Sequence, residues 1–167
     1  GNTSNFTYDS QGNLTGINRP LGVSESYTYS ANGLLTSIQN GNNHTTSFQY
    51  NAQGDLIKVV FPVGEQNFEY DPLGNLKKII DANGNAREFT YDRLDRLISL
   101  KDALNNTTTY QYDDRGNLIE KTDPNGNSTL YGYDQLNRLK SVTLPTGTWN
   151  YEYDGLGNLT KLTDANG

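Results

Sequence analysis

Apolar side chains recur along this chain in short bursts, and the bursts keep phase. Tyr8, Tyr29, Tyr50, Tyr70, Tyr91, Tyr112, Tyr133 and Tyr153 stand 20 or 21 residues apart. Two residues before each stands a second aromatic: Phe6, Tyr27, Phe48, Phe68, Phe89, Tyr110, Tyr131 and Tyr151. Six residues after each stands a leucine: Leu14, Leu35, Leu56, Leu76, Leu97, Leu118, Leu139 and Leu159. The two aromatic columns hold 16 of the 18 aromatic residues. A fixed period of this kind marks a tandem array, with each repeat one supersecondary unit.

The polar positions share the period. After each anchor tyrosine comes Asp9, Ser30, Asn51, Asp71, Asp92, Asp113, Asp134 or Asp154. These types open type I turns. Three residues later come Gly12, Gly33, Gly54, Gly74, Asp95, Gly116, Asn137 and Gly157. Fourteen residues after each anchor come Gly22, Asn43, Gly64, Gly84, Asn105, Gly126, Gly147 and Gly167. All are types that tolerate positive φ. Pro20, Pro62, Pro72, Pro124 and Pro145 take the second turn position, where their fixed φ fits. Each repeat therefore predicts two turns and two strands of roughly six residues. The result is an all-β antiparallel meander of β-hairpins, eight copies of about 21 residues each. Turn residues interrupt every segment too soon for a helix.

Alternation predicts the faces. The paired aromatics share parity, while Leu14 and Ile17, with their equivalents, have opposite parity. Barring a bulge, this expects an apolar stripe on each face of a curved single-layer strip. Cross-strand side-chain ladders would hold it, with tyrosine hydroxyls reaching water. The 20-residue spacings fall four repeats apart, after Phe61-Pro62-Val63-Gly64 and Leu144-Pro145-Thr146-Gly147. One continuous array over 1–167 thus divides into two 83-residue super-repeats, 1–83 and 84–166. Both ends fall in phase, so the chain reads as a window of a longer array.

Composition narrows the classes. Apolar residues make up only 33%, yet the aromatic content argues against disorder. Absence of cysteine excludes disulfide and thiolate sites. A net charge of −6 speaks against nucleic acid. No apolar run approaches the ~20 residues that insert into a bilayer as a helix.

Tyr70-Asp71-Pro72-Leu73-Gly74-Asn75-Leu76 followed by Asp81-Ala82-Asn83-Gly84-Asn85 resembles the RHS/YD-repeat family. So do Tyr8-Asp9 with Gly12 and Leu14, Tyr112-Asp113 with Gly116 and Leu118, and Tyr153-Asp154 with Gly157 and Leu159. Arg96-Leu97 and Arg138-Leu139 match a frequent family variant. The resemblance spans the whole chain. It implies hairpin strips that spiral into hollow shells, as in polymorphic toxins, toxin-complex shell proteins and the teneurins. It further implies a secreted or cell-surface, non-enzymatic wall segment, with an enclosed C-terminal effector in the toxins. Expected partners are neighbouring repeats of the same or identical chains, and an effector. Alternatives are the unit of an extracellular helical filament and a glycan-binding adhesion module.

Catalytic, cofactor and metal sites are not expected. His44, the one histidine, lies in a polar turn. The aspartates read as acceptors for their own turn backbone. Asp81–Asn85 and Asp123–Asn127 offer one carboxylate each, short of the six to eight oxygens calcium takes. Asn-x-Ser/Thr sequons at Asn5, Asn13, Asn106 and Asn158 follow from composition. Trp149, the residue type expected of a sugar-stacking surface, lies outside the aromatic columns.

Overall fold

The computed structural model describes residues 3–22 and 24–166. The turn glycine expected at Gly167 lies outside the described residues. The chain forms two compact units, Gly1–Ala86 and Arg87–Gly167. In the first, β1 (Asn5–Tyr8), β2 (Leu14–Asn18), β3 (Ser24–Tyr29), β4 (Leu35–Gln39), β5 (Thr45–Tyr50), β6 (Leu56–Val60), β7 (Glu65–Tyr70) and β8 (Leu76–Ile80) lie side by side in chain order. In the second, β9 (Ala86–Tyr91), β10 (Leu97–Lys101), β11 (Thr107–Tyr112), β12 (Leu118–Thr122), β13 (Ser128–Tyr133), β14 (Leu139–Leu144), β15 (Gly147–Tyr153) and β16 (Leu159–Thr163) do the same. A 3-10 turn at Pro20–Gly22 is the one helical element among the described residues. Every odd strand ends on the anchor tyrosine, and every even strand begins on the invariant leucine.

The turns between them follow from local chemistry. In the β7–β8 turn the Gly74 N–H donates to the Asp71 carbonyl at 3.0 Å, and the Asp71 N–H donates to the Asn75 carbonyl at 2.9 Å. The first bond closes a type I turn, and the second follows a left-handed residue. Gly74 has φ 89°; where Asp95 and Asn137 replace the glycine, φ is 58° and 59°. Among the described residues, every turn position expected to be left-handed has positive φ.

One expectation is overturned. Tyr8 pairs with Leu14 and Thr7 with Gly16, so Thr15 is left without a partner. The same single-residue bulge recurs in all eight hairpins of this type, at Thr36, Ile57, Lys77, Ile98, Ile119, Lys140 and Thr160. An extra residue reverses the alternation beyond it. Directly paired residues share a face. Phe6 pairs with Ile17 and Tyr8 with Leu14, so both aliphatic columns join both aromatic columns on one face. The apolar stripes are therefore not divided between two faces.

The opposite face is mostly polar, though Val60, Ile80 and Leu130 lie on it, opposite Ser47, Asn67 and Glu120. Thr28 Oγ1 lies 2.8 Å from Thr36 Oγ1 and 2.7 Å from Ser37 Oγ. Lys58 Nζ donates to both carboxylate oxygens of Glu65, at 2.9 and 2.8 Å, and Asn67 Nδ2 donates to one of them at 3.1 Å. A single layer cannot build a closed interior. Val59, opposite Phe48 and Gln66, is the one hydrophobic residue among those described that is truly buried, at 6% exposure. The remaining aromatic-face side chains are mostly half-buried, each shielded sideways by its ladder neighbours.

Candidate functional site: the clasps between repeats

A structural repeat works through the contacts that join it to the next. Strand pairing across the repeat boundary is short: β4 and β5 pair over Ser37–Ser47, Ile38–Thr46 and Gln39–Thr45. Beyond that register the backbone groups at the start of β4 need other partners, because unpaired carbonyls are costly once shielded from water. The anchor tyrosine supplies one. Tyr50 Oη donates to the Leu35 carbonyl oxygen at 2.9 Å. The same bond joins Tyr29 to Leu14 and Tyr70 to Leu56 in the first unit, at 2.9 Å each. In the second it joins Tyr112 to Leu97, Tyr133 to Leu118 and Tyr153 to Leu139, at 2.8–3.0 Å. These hydroxyls bond protein rather than water, against the expectation from sequence. Burial pushes the Tyr133 phenol above its ordinary value. Burial, with the Asp55 carboxylate nearby, does the same to Tyr70.

Arginine reinforces two of these joints. Arg96 Nε donates to Asp92 Oδ2 at 2.7 Å within its own turn. Its Nη1 reaches the Asp113 carbonyl of the next repeat at 3.0 Å, and its guanidinium lies 4.7 Å from the Tyr112 ring centroid. Arg138 repeats the geometry with Asp134, the Asp154 carbonyl at 3.1 Å and the Tyr153 ring at 4.7 Å. The planar guanidinium satisfies all three contacts at once, as an ammonium could not. The sequence marks both arginines; the tyrosine ring and turn carbonyl they reach are defined by tertiary packing.

The motif aspartates turn inward to their own loops. Asp113 Oδ1 accepts the N–H groups of Arg115 and Asn117 at 2.9 and 2.8 Å, and Oδ2 accepts Asn117 Nδ2 at 2.9 Å. The Asn117 side chain and the turn N–H groups hold this carboxyl below its ordinary value. Asp9, Asp71 and Asp154 make the same three contacts through Asn13, Asn75 and Asn158. Gly12, Gly116 and Gly157 take the left-handed position, as Gly74 does. Asn51 and Asp55 show the pair exchanged, with Asn51 Nδ2 donating to Asp55 Oδ2 at 2.9 Å. Leu76, Leu118 and Leu159 sit opposite Tyr70, Tyr112 and Tyr153. His44 is exposed, and its N–H donates to Asn40 Oδ1 at 3.1 Å. Among the described residues no cluster of histidine and carboxylates could hold a metal ion. Trp149 stands opposite Val142 on the aromatic face, outside the two aromatic columns but on the same strand and side as Tyr151 and Tyr153.

A tandem hairpin array with one aromatic face, clasped by tyrosine at six joints between repeats, defines a YD-repeat protein. The family model for the teneurin YD-shell matches residues 2–166, and the chain belongs to that family. No curated protein sequence matches it. Among solved structures it is similar to the TcdB2-TccC3-Cdc42 complex, with 18% identity and a TM-score of 0.77 over 96% of this chain. It is also similar to the Tc holotoxin pore of Photorhabdus luminescens, with 18% identity and a TM-score of 0.75 over 93% of this chain. At this identity the likeness is one of fold. The chain spans 11% of the length of either matched chain.

Proposed function

We propose that this chain is a non-enzymatic wall segment of a secreted or cell-surface YD-shell protein, and that the wall encloses a polypeptide cargo. The one-sided distribution of side chains carries this reading. Eight identical bulges place the aromatic and aliphatic columns on one face and leave a mostly polar face opposite. A wall needs two chemically different faces, and exposed apolar surface of this extent marks a face that meets something other than bulk water. The aromatic face is the inner one. Within each unit the clasps fasten one repeat to the next, so the wall extends by adding hairpins with no covalent crosslink.

Electron microscopy of the full-length protein tests the architecture. Closed particles are expected; long fibres with an axial repeat of four or eight units would replace the shell by a filament. Orientation is tested in the same particles through two neighbouring threonines. Thr108 pairs with Leu100 on the aromatic face, and Thr109 pairs with Ser99 on the polar face. A bulky maleimide should label Thr109→Cys in the intact particle and Thr108→Cys only after denaturation. The reverse pattern would turn the wall inside out.

A further inference from the structure

We propose that Asn40 is a site of self-modification. In the folded protein its side chain loses ammonia through attack by the Gly41 nitrogen, and a carboxylate is left at position 40. Asn40 opens the β4–β5 turn, at the position held by Asp81, Asp102, Asp123 and Asp164 in other repeats. Asn-Gly pairs also occur at Asn32-Gly33, Asn83-Gly84 and Asn125-Gly126. A following glycine has no Cβ to keep its nitrogen away from the asparagine side chain.

Turn geometry sets Asn40 apart from the other three. At Asn32, Asn83 and Asn125 the next residue is the left-handed one, with φ of 77°, 82° and 84°. Its N–H donates to the carbonyl of Ser30, Asp81 or Asp123 at 3.0 Å, so that nitrogen is committed to closing the turn. In the β4–β5 turn this duty falls to Asn43, with φ 61° and an N–H that donates to the Asn40 carbonyl at 2.9 Å. Gly41 takes the second turn position, and its N–H donates no hydrogen bond among the described residues. Both Asn40 and Gly41 are exposed, so water reaches them. The carboxamide is held as well. Asn40 Oδ1 accepts the N–H groups of Asn42 at 3.0 Å and His44 at 3.1 Å. Negative charge develops on this oxygen when Cγ is attacked, and donors already in place stabilise it.

Solvent base takes the Gly41 amide proton as its nitrogen bonds to Asn40 Cγ. The Cγ–Nδ2 bond breaks, and Nδ2 leaves as ammonia with a proton from solvent. Water then opens the cyclic imide at one of its two carbonyls and returns a proton to the Gly41 nitrogen. Opening at Cγ leaves an ordinary aspartate; opening at the main-chain carbonyl leaves the β-linked form. The aspartate fits a turn the chain already builds. Asp81 Oδ1 accepts the N–H groups of Asn83 and Asn85 at 2.9 Å each, and Asp102 Oδ1 those of Leu104 and Asn106 at 2.9 Å each. Their Oδ2 atoms accept Asn85 Nδ2 and Asn106 Nδ2 at 2.9 Å. His44 stands where those asparagines stand, and an imidazole N–H can donate in their place. Asn40 is thus an aspartate of the repeat encoded as its amide.

Incubation of the native full-length protein in heavy-oxygen water tests this. Imide opening writes the heavy oxygen into the new carboxylate, and peptide mass mapping in ordinary water afterwards reads it at each asparagine. Label at Asn40 should exceed that at Asn32, Asn83 or Asn125 by about fivefold or more, the rate equivalent of one hydrogen bond. Gly41→Pro installs the residue type of Pro124 and removes the attacking N–H, so label at Asn40 should be lost. Gly41→Ala, the residue type of Ala82 and Ala103, should slow its appearance. Equal label at the four asparagines, no label at Asn40, or undiminished label in either variant with an unchanged melting temperature would each overturn the proposal.

Discussion

The Tyr133 hydroxyl donates to the Leu118 carbonyl oxygen at 3.0 Å across the joint between two repeats. Leu118 begins β12 and Tyr133 ends β13, but the ladder between these strands is confined to the opposite end, from Glu120–Leu130 to Thr122–Ser128. The phenol therefore closes the end of the joint that the ladder leaves open.

Tyr133→Phe keeps the ring and removes the donor. The expected cost is about 1 kcal/mol, the usual net worth of such a bond. Chemical denaturation of wild type and variant measures it. Tyr131→Phe, on the same strand and face, is the control and should cost less, because no protein carbonyl depends on its hydroxyl.

Arg138→Lys keeps the charge but loses the fork that spans Asp134, the Asp154 carbonyl and the Tyr153 ring. Destabilisation of about 0.5–1 kcal/mol is expected from the cation–π contact alone. Arg138→Asn, the residue at this position in four of the eight repeats, should lose the same contact to Tyr153. Melting at low and high salt should show that the loss persists at high salt, since stacking is less screened than a surface charge pair.

Exchanging Asp113 and Asn117 should cost no more than the bond that Asn117 Nδ2 donates to Asn137 Oδ1 at 3.1 Å. The chain already uses the exchanged pair at Asn51 and Asp55, where the amide still donates to the carboxylate. Asp113→Ala should destabilise, because two turn N–H groups and one side-chain amide lose their acceptor. Melting temperatures of the exchange and the alanine variant separate the two outcomes.

Acid should loosen the array. Side-chain and backbone donors in the turns hold the Asp9, Asp113, Asp123 and Asp154 carboxyls below the ordinary 3.8. Such carboxyls contribute stability that is fully present above the unfolded value. It is lost as pH falls through the folded value. The melting temperature should vary little from these groups near neutrality and fall below pH of about 4. Asp113→Ala should blunt that fall.

Much of the architecture was legible because its causes are local. Gly74 and Asp71 specify their turn through φ and a side-chain acceptor four residues from its donor, so the same heptad predicts the same hairpin wherever it recurs. Arg96 was visible as a motif variant for the same reason. The clasp was not visible, since Tyr112 and Leu97 stand 15 residues apart and meet only after two strands have paired.

The bulge draws the same line at its sharpest. Alternation along an isolated strand assigns Leu14 and Ile17 to opposite faces, and local patterning carries no further information. Pairing decides otherwise: Tyr8 takes Leu14, Thr7 takes Gly16, and the residue skipped between them returns every apolar column to one side. Period, turns and strand order were thus determined by the sequence, because each is written within a few residues of itself. The face each side chain joins, and the carbonyl each tyrosine reaches, were decided by register, a property of two strands together.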